Sequence, residues 1–259
     1  MLNDNKKDTT SWGGVADWYH EHLLSEGTYH ADVILPNLLR LMNIKTDEQV
    51  LDLACGEGFF SRAFHEAGAK VTGVDISPEL VALARRDSPK EITFAVSRAS
   101  NLHSFPARIF SAVTIVLAIQ NIEDVKEVFF EIERVLAPSG KIFIVMNHPA
   151  FRVPKCSSWE WDDKSGKQFR RIDSYMTESR EKILMHPGKT ADTTITFHRP
   201  LQYYSKLLSN TGFSIGRIEE WISPKKSQAG PRSKEEDRMR REIPLFICFE
   251  VVHNSSVIF

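Results

Sequence analysis

Five short apolar runs alternate with amphipathic stretches through the middle of the chain. They are QVLDLA from Gln49, KVTGVD from Lys70, ITFAV from Ile92, AVTIVLA from Ala112 and KIFIVM from Lys141. Nearly continuous apolar character over so few residues is typical of parallel strands covered on both faces. Strands that alternate with helices are typical of βαβ units, so the pattern predicts a parallel sheet.

Helical spacing precedes and separates these runs. Apolar positions within residues 12–42 follow helical spacing and are interrupted at Gly27, so two helices are expected before the sheet. Between Val125 and Leu136 apolar residues recur three and four apart, which predicts a helix stopped by Pro138-Ser139-Gly140. Ser77-Pro78-Glu79 offers a capping hydroxyl, a proline for the first turn and an acid, so Asp75 should end the preceding strand.

The alternation fails between His148 and Thr194, and we interpret this stretch as an inserted cap. A helix from about Pro200 to Asn210 and two apolar runs from Phe213 and Leu245 should complete the sheet. The expected fold is α/β, a doubly wound, mostly parallel seven-stranded sheet with helices on both faces and a cap after strand 5. The predicted segments are an N-terminal helical segment (1–45), the core (46–147), the cap (148–197) and the last part of the sheet (198–259).

Composition narrows the class of protein. The 259 residues are 42% hydrophobic and 26% charged, as in an ordinary globular protein, and the formal net charge of -1 argues against holding nucleic acid by bulk electrostatics alone. The three cysteines form no C-x-x-C pair, and no disulfide framework is expected. The first residues have no apolar stretch of the signal-peptide type and no run suggests a membrane helix, so a cytoplasmic location without membrane association is expected.

The stretch VLDLACGEGFFSRAFHEAGAKVTGVDIS carries the most chemical information. Gly56 and Gly58 permit a tight turn after a strand and let a ligand approach the backbone. Asp75, about 20 residues further on, is placed to accept hydrogen bonds from ribose hydroxyls. Ser61 occupies the position of the third glycine in the nicotinamide-binding pattern, so a dehydrogenase is less favoured.

Residues 52–58, DLACGEG, resemble the first motif of the class I, Rossmann-like, S-adenosylmethionine-dependent methyltransferases. The resemblance covers about residues 49–146, with weaker similarity over 200–252. It implies methyl transfer from S-adenosylmethionine, with S-adenosylhomocysteine as product. It also implies a glycine loop against the methionine part of the cofactor, an acid on the ribose and an apolar residue on adenine, here Asp52, Ala54, Gly56, Gly58, Asp75 and Ile76.

The resemblance extends to further cofactor contacts. Similar proteins often carry G-D-A-x-x-L after the third strand, where this chain has Ser97-Arg98-Ala99-Ser100-Asn101-Leu102, so Arg98 replaces the acid and Ala99 keeps only backbone recognition. The end of the fourth strand, beginning at Leu117, is expected to face the cofactor sulfonium. In similar proteins an aromatic residue of the N-terminal helices often closes over the methionine moiety. Tyr19 is expected to do so here, and Trp18 and Tyr29 are the other candidates.

Candidates for the chemical step follow the fourth and fifth strands. Asn121, with Gln120, would face the acceptor, or else cap the next helix. His148 is the first candidate for a general base, because a histidine near neutral pKa can take a proton. A structural hydrogen bond is the alternative role for His148. Methyl transfer can also proceed without a base, through alignment of the two reactants.

The cap and its exit are rich in rings, which would wall a pocket for a flat or cationic acceptor, or else form a small core or a dimer contact. These rings are Trp159, Trp161, Phe169, Tyr175, His186 and His198, of which Trp159, Tyr175 and His198 are the predicted substrate contacts. Arg152, Arg170 and Arg171 suit either an anionic substrate group or a solvated face. Lys225, Lys226 and Arg232 suit a charged exposed helix, a mobile lid or an RNA-phosphate contact.

The favoured function is methylation of a small molecule at oxygen, nitrogen or carbon. The alternatives are an RNA-modifying methyltransferase, which is possible but not favoured, and a catalytically silent cofactor-binding protein. The histidines show no H-E-x-x-H arrangement, and no metal is expected. A monomer or a homodimer fits the sequence equally well.

Overall fold

The computed structural model describes residues 11–185 and 193–254. Within them the helices are α1 (Ala16–Leu24), α2 (Leu35–Met42), α3 (Phe59–Glu66), α4 (Pro78–Asp87), α5 (Val125–Val135), α6 (Leu201–Asn210) and α7 (Ser233–Glu242). Short 3-10 turns cover Ser11–Val15 and Ile119–Asn121, and a π-helical turn covers His30–Ile34. The strands are β1 (Gln49–Leu53), β2 (Lys70–Asp75), β3 (Thr93–Val96), β4 (Phe110–Val116), β5 (Leu136–Asn147), β6 (Ser157–Asp162), β7 (Lys167–Ile172), β8 (Ser179–Leu184), β9 (Thr193–His198), β10 (Phe213–Trp221) and β11 (Phe246–His253).

A seven-stranded sheet in the order β10-β11-β5-β4-β1-β2-β3 forms the centre of the molecule. Strands β1 to β5 pair in parallel, and β11 pairs antiparallel with both β5 and β10. The predicted doubly wound, mostly parallel sheet is therefore confirmed. The strand order reverses between β1 and β4, and in such sheets ligands bind beyond the carboxyl ends of the strands at this point.

Helices cover both faces of the sheet, as predicted. Leu51 belongs to a core cluster with α5 and α6, whereas its neighbour Val50 belongs to a second cluster with α2, α3 and α4. Adjacent residues of a strand point to opposite faces, so these clusters are the two layers that bury the sheet. Both residues are fully buried, which explains the nearly continuous apolar character of β1.

The predicted helix boundaries agree with the structure at most ends. The Ser77 hydroxyl accepts a hydrogen bond from the Leu80 amide, so α4 begins with the predicted cap and Asp75 ends β2. Helix α5 ends at Val135, and Leu136 already begins β5. The stop therefore lies before Pro138, because Leu136 pairs with Phe110 of β4 instead of continuing the helix.

Two β-hairpins, β6–β7 and β8–β9, lie between β5 and α6. They occupy the stretch predicted as an inserted cap, whose bounds and role remain predictions. No residue of β6, β7 or β8 is fully buried, and β9 buries the polar side chains of Thr194, Thr196 and His198. Strands without an apolar face carry only a weak sequence signal. His186 lies outside the described residues.

Within the two described ranges, no helix has the length and apolar character needed to cross a membrane. The same ranges contain no group of three or more histidine, cysteine, aspartate or glutamate side chains that could hold a metal ion.

Candidate functional site

The loop between β1 and α3 forms the floor of the candidate site. Ala54, Gly56 and Gly58 adopt positive φ angles of 62°, 57° and 86°. A Cβ atom on Gly58 would lie 3.0 Å from Cζ of Phe94, so both the backbone angle and the space favour glycine. The loop therefore turns tightly at the carboxyl end of β1 and exposes backbone to the cleft above it.

Asp75 connects this loop to the end of β2. Its carboxylate accepts hydrogen bonds from the Gly56 amide (2.9 Å) and the Ser77 amide (2.8 Å). The side chain is buried, and burial raises its pKa despite these hydrogen bonds. A carboxylate has about four lone-pair sites, so two hydrogen bonds leave capacity for ligand hydroxyls. Ile76, which follows directly, is half-buried.

Asp52 lies beneath the loop as an internal anchor. It accepts hydrogen bonds from the Ser61 hydroxyl (2.6 Å) and the Thr114 hydroxyl (3.0 Å), which join β1 to α3 and β4. Burial raises the pKa of Asp52 to about 6, more than the two hydroxyls lower it. These contacts favour a structural role in holding the loop.

Tyr19 of α1 covers the glycine loop. Its Cε1 would lie 3.8 Å from a Cβ on Gly56, and its ring makes edge contacts with Trp12 and His30. Burial, followed by the charge of Glu57, raises the pKa of Tyr19. The cleft under this ring has a volume of only about 30 Å³, whereas small-molecule sites typically hold ~300 to 1,000 Å³. A nucleotide-sized ligand is therefore larger than this cleft.

An ion-pair cluster that the sequence analysis missed fastens α1 to the loop. The buried carboxylate of Glu57 receives two hydrogen bonds from Arg62, at 2.9 and 2.8 Å. It also lies 2.9 Å from Nδ1 of His20 on α1. The only sequence signal was Glu57 itself, an acid between two glycines, because its partners come from other elements.

The segment after β3 lies beside Asp75. The Ser97 amide donates to the Asp75 carbonyl at 2.9 Å, which places the next residues at the same edge of the sheet. Arg98 is exposed and Ala99 is half-buried against the apolar core. Leu117, at the end of β4, has a φ of 54° and donates its amide to Val145 of β5. The cofactor contacts predicted for these residues remain predictions.

The turn after β4 contains Gln120 and Asn121. Asn121 donates from Nδ2 to the Ile195 carbonyl at 2.8 Å and does not cap α5. Oε1 of Gln120 is buried and has no hydrogen-bond partner within the described chain. A buried acceptor without a donor is costly, so a ligand donor at the end of β4 would relieve this cost.

His148 follows β5 and is buried. Its Nε2 lies 2.7 Å from Oε1 of Glu220, and its Nδ1 accepts the Ala150 amide at 3.2 Å. An Nδ1 that accepts leaves the proton on Nε2, so both nitrogens are engaged in this conformation. Burial lowers the pKa of His148, and Glu220 partly opposes that effect. The predicted role of general base would require these contacts to open.

The three predicted substrate contacts fall into two places. His198 Nε2 lies 2.8 Å from the Tyr175 carbonyl, and the Tyr175 hydroxyl accepts the Leu201 amide at 3.0 Å, so this pair joins the β8–β9 hairpin to α6. Trp159 belongs to the other hairpin, where the Arg170 guanidinium lies 5.2 Å from its ring centre. Their predicted contact with a substrate remains a prediction.

A second, open cleft of about 720 Å³ separates the β6–β7 hairpin from α7. Trp161, Phe169 and Met239 supply its apolar walls, and Lys167 and Arg238 lie at its border. This cleft does not contain the glycine loop.

Residues 51–144 match the family model described as a methyltransferase domain. The chain is 29% identical over 113 residues to a demethylmenaquinone methyltransferase of Tropheryma whipplei, covering 42% of this chain and 46% of the relative. It is 32% identical over 99 residues to a ubiquinone biosynthesis O-methyltransferase of Xanthomonas oryzae pv. oryzae, covering 37% and 41%.

Among solved structures, an S-adenosylmethionine-dependent methyltransferase from Mesorhizobium loti is 28% identical with a TM-score of 0.68. That match covers 83% of this chain and 95% of the other. The matches to the two curated relatives span less than half of their length. The family match ends before the two hairpins, so it covers the glycine loop and Asp75 but not the predicted cap.

Proposed function

We propose, from the premise that residues 51–144 form a class I S-adenosylmethionine-dependent methyltransferase domain, that this protein methylates a small-molecule acceptor. The observation that carries the proposal is the hydrogen bond between the Gly56 amide and the Asp75 carboxylate. This hydrogen bond joins a backbone turn to a buried acid at the carboxyl ends of the neighbouring strands β1 and β2, and the ring of Tyr19 lies over the turn. A nucleoside with a charged amino-acid tail needs these features.

The residues present fit this cofactor. Asp75 would accept the ribose hydroxyls, and half-buried Ile76 would pack against the adenine ring. Gly56, where a Cβ would meet only the Tyr19 ring, leaves room for the methionine part. Oε1 of Gln120, which has no hydrogen-bond partner among the described residues, is available to an N–H donor at the same edge. Arg98 cannot accept the adenine amino group, so recognition there would rest on the Ala99 backbone.

The bound cofactor would supply a methyl group made electrophilic by a positively charged sulfur. This chain's contribution is to align that methyl group with the acceptor and to exclude water, and alignment alone can supply much of the rate. Tyr19, held over the loop through the contact of His20 with Glu57, would close the cleft after cofactor entry. His148 would accept an acceptor proton only after losing its contact with Glu220.

The names of the two curated relatives, demethylmenaquinone methyltransferase and ubiquinone biosynthesis O-methyltransferase, support a small molecule as the acceptor class. Selection of the acceptor would depend on residues after 144, which lie outside the family match. The RNA alternative has no recognisable RNA-binding module in its favour.

The first test is binding of S-adenosylhomocysteine, measured by thermal unfolding and calorimetry. A ligand that binds the native state must raise its stability, so saturating product should raise Tm of the wild type. An unchanged Tm together with no heat of binding would contradict the proposal.

The second test follows transfer of labelled methyl from S-adenosylmethionine into cell lysate separated into metabolites, RNA and protein. Label in metabolites that disappears with Asp75→Ala supports the proposal, provided that the variant keeps its fold by circular dichroism. Label in RNA would favour the RNA-modifying alternative. Absence of label from every fraction, despite cofactor binding, would favour the silent cofactor-binding protein.

A further inference from the structure

Lys225 lies over the Tyr29 ring, and Arg152 interacts electrostatically with both Tyr29 and Arg170. We call Arg152, Arg170 and Lys225 the cationic cluster. Tyr29 precedes the π-helical turn, and its hydroxyl lies 3.1 Å from the Ser223 hydroxyl after β10. The Lys225 ammonium lies 4.5 Å from the centre of the Tyr29 ring. Arg152 lies on the turn after β5, and Arg170 lies on β7.

Arg152 is half-buried, and its guanidinium has no anionic partner in the part of the chain that the structure describes. Its amide donates to the His148 carbonyl at 2.9 Å, which fixes its backbone at the carboxyl end of β5. Throughout residues 11–185 and 193–254, no ion pair or hydrogen bond of its side chain is present. Burial lowers the pKa of Arg152, the charge of Arg170 lowers it further, and only the Tyr29 phenol opposes them.

Arg170 is held rigidly next to Arg152. Its Nε donates to the Phe151 carbonyl at 2.8 Å, and a terminal nitrogen donates to the Ser157 hydroxyl at 2.7 Å. Both partners are neutral, so they orient the guanidinium without cancelling its charge. Arg171, in contrast, is exposed and lies 2.9 Å from Asp173. Of these two neighbours on β7, Arg170 therefore belongs to the cluster and Arg171 faces solvent.

The free-energy balance of the cluster favours an external anion. Two neighbouring guanidinium groups that are partly removed from water repel each other and lose hydration. Charges in such positions are normally paired within the protein, but Glu220 contacts His148 and Glu181 contacts Lys155. A carboxylate or phosphate would offset both costs, because the planar guanidinium matches either group through two parallel hydrogen bonds.

The cluster is adjacent to the cleft above the glycine loop. Tyr29 is followed by His30, whose ring contacts Tyr19 and Phe59, and both of these line that cleft. On the strand side, β5 lies next to β4, whose Val116 also lines the cleft. An acceptor anchored at Arg152 would therefore lie beside the carboxyl ends of β4 and β5, next to this cleft.

We propose that Arg152, supported by Arg170 and Lys225, binds an oxyanion of the methyl acceptor, so that the acceptor is a small anionic molecule carrying a carboxylate or a phosphate. This inference rests on the proposed function. It makes Arg152 a positioning residue that selects the acceptor and fixes its orientation relative to the cofactor.

The test uses benzoate, benzamide and inorganic phosphate as probes, titrated by calorimetry into the full chain with and without saturating S-adenosylhomocysteine. Benzamide is the neutral counterpart of benzoate. Arg152→Gln removes the proposed anchor, and Arg171→Gln is the matched control, because it removes the same charge from an exposed neighbour. Circular dichroism and product affinity are recorded for each variant.

Benzoate should bind the wild type and Arg171→Gln with equal affinity, and it should bind Arg152→Gln at least tenfold more weakly. In the wild type and in Arg171→Gln, the affinity for benzoate should exceed the affinity for benzamide. Tighter binding of phosphate than of benzoate would identify a phosphate acceptor. Tighter binding of benzoate would identify a carboxylate acceptor. The proposal is overturned if neither anion binds the wild type, or if Arg152→Gln binds them equally well. Failure of S-adenosylhomocysteine to bind is a separate result, which would contradict the proposed function.

Discussion

The Gly56 amide donates a hydrogen bond of 2.9 Å to Oδ2 of Asp75, so the loop after β1 is joined to the acid that ends β2. The second carboxylate oxygen receives the Ser77 amide at the start of α4. One side chain thus sets the relative positions of two βα turns. Because a cofactor would contact both turns, its affinity should depend on this carboxylate more than on any exposed acid.

Asp75→Asn should lower the affinity for S-adenosylhomocysteine at least tenfold. The amide side chain has one acceptor oxygen instead of two, and its NH₂ group would face a backbone donor. Calorimetric titration measures the effect. Asp47→Asn is the control, because Asp47 is exposed and its positive φ of 64° suits asparagine. Equal affinity of both variants would contradict the role assigned to Asp75.

Gly58→Ala should destabilise the protein by about 2 to 4 kcal/mol. Left-handed backbone costs a non-glycine residue roughly 1 to 2 kcal/mol, and crowding adds about 1 to 2 more because the new Cβ would approach the Phe94 ring to 3.0 Å. Denaturant unfolding gives the difference in free energy. Gly166→Ala isolates the backbone cost, since Gly166 also has a positive φ but a Cβ there would have nothing within 4 Å. A similar loss in both variants would exclude the crowding contribution.

The ring of Tyr19, and not its hydroxyl, should support cofactor binding. The ring packs over Gly56, at a Cε1 distance of 3.8 Å from a Cβ position there. Tyr19→Phe should therefore keep the affinity for S-adenosylhomocysteine within about twofold, whereas Tyr19→Ala should lower it about tenfold through lost apolar contact. Calorimetry compares the two variants. An equal loss in both would assign the effect to the hydroxyl instead.

His30 should make stability depend on pH between about 6.5 and 4. Burial, with a smaller effect of His22, lowers the pKa of His30 to about 4. Below pH 6.5 the unfolded chain binds a proton that the folded chain excludes, so this contribution to stability is lost as pH falls. The loss reaches roughly 3 kcal/mol near pH 4.

His30→Gln should remove this part of the pH dependence. The measurement is the free energy of unfolding of wild type and variant at several pH values from 7 to 4. Their difference should change with pH, which separates His30 from groups common to both proteins, such as Asp52. A difference that stays constant over this range would contradict a buried neutral His30.

The cofactor half of the molecule was predictable from local sequence. Strands covered on both faces require continuous apolar runs, and a tight turn towards a ligand requires glycine, so β1 to β5, the glycine loop and Asp75 each leave a signal within a few residues. The cap of α4 at Ser77 is equally local, since the hydroxyl and the amide that it binds are three residues apart.

The hairpins of the predicted cap left no comparable signal. Strands β6 to β8 bury no residue fully, so none of them needs an apolar face. Their residues largely alternate between half-buried and exposed positions, and polar side chains fit both. The same reason hid the structural roles of Tyr175 and His198, whose hydrogen bonds join residues more than twenty positions apart.

The sequence by itself determined the sheet, the loop chemistry and the class of cofactor, because each depends on residue types at short spacing. Only the tertiary structure decided that His20 meets Glu57 and that both nitrogens of His148 are engaged. It also decided that, among the described residues, neither Oε1 of Gln120 nor the Arg152 guanidinium has a hydrogen-bond partner. Whether a charged or polar group is paired depends on partners from distant elements, and a linear pattern does not contain those distances.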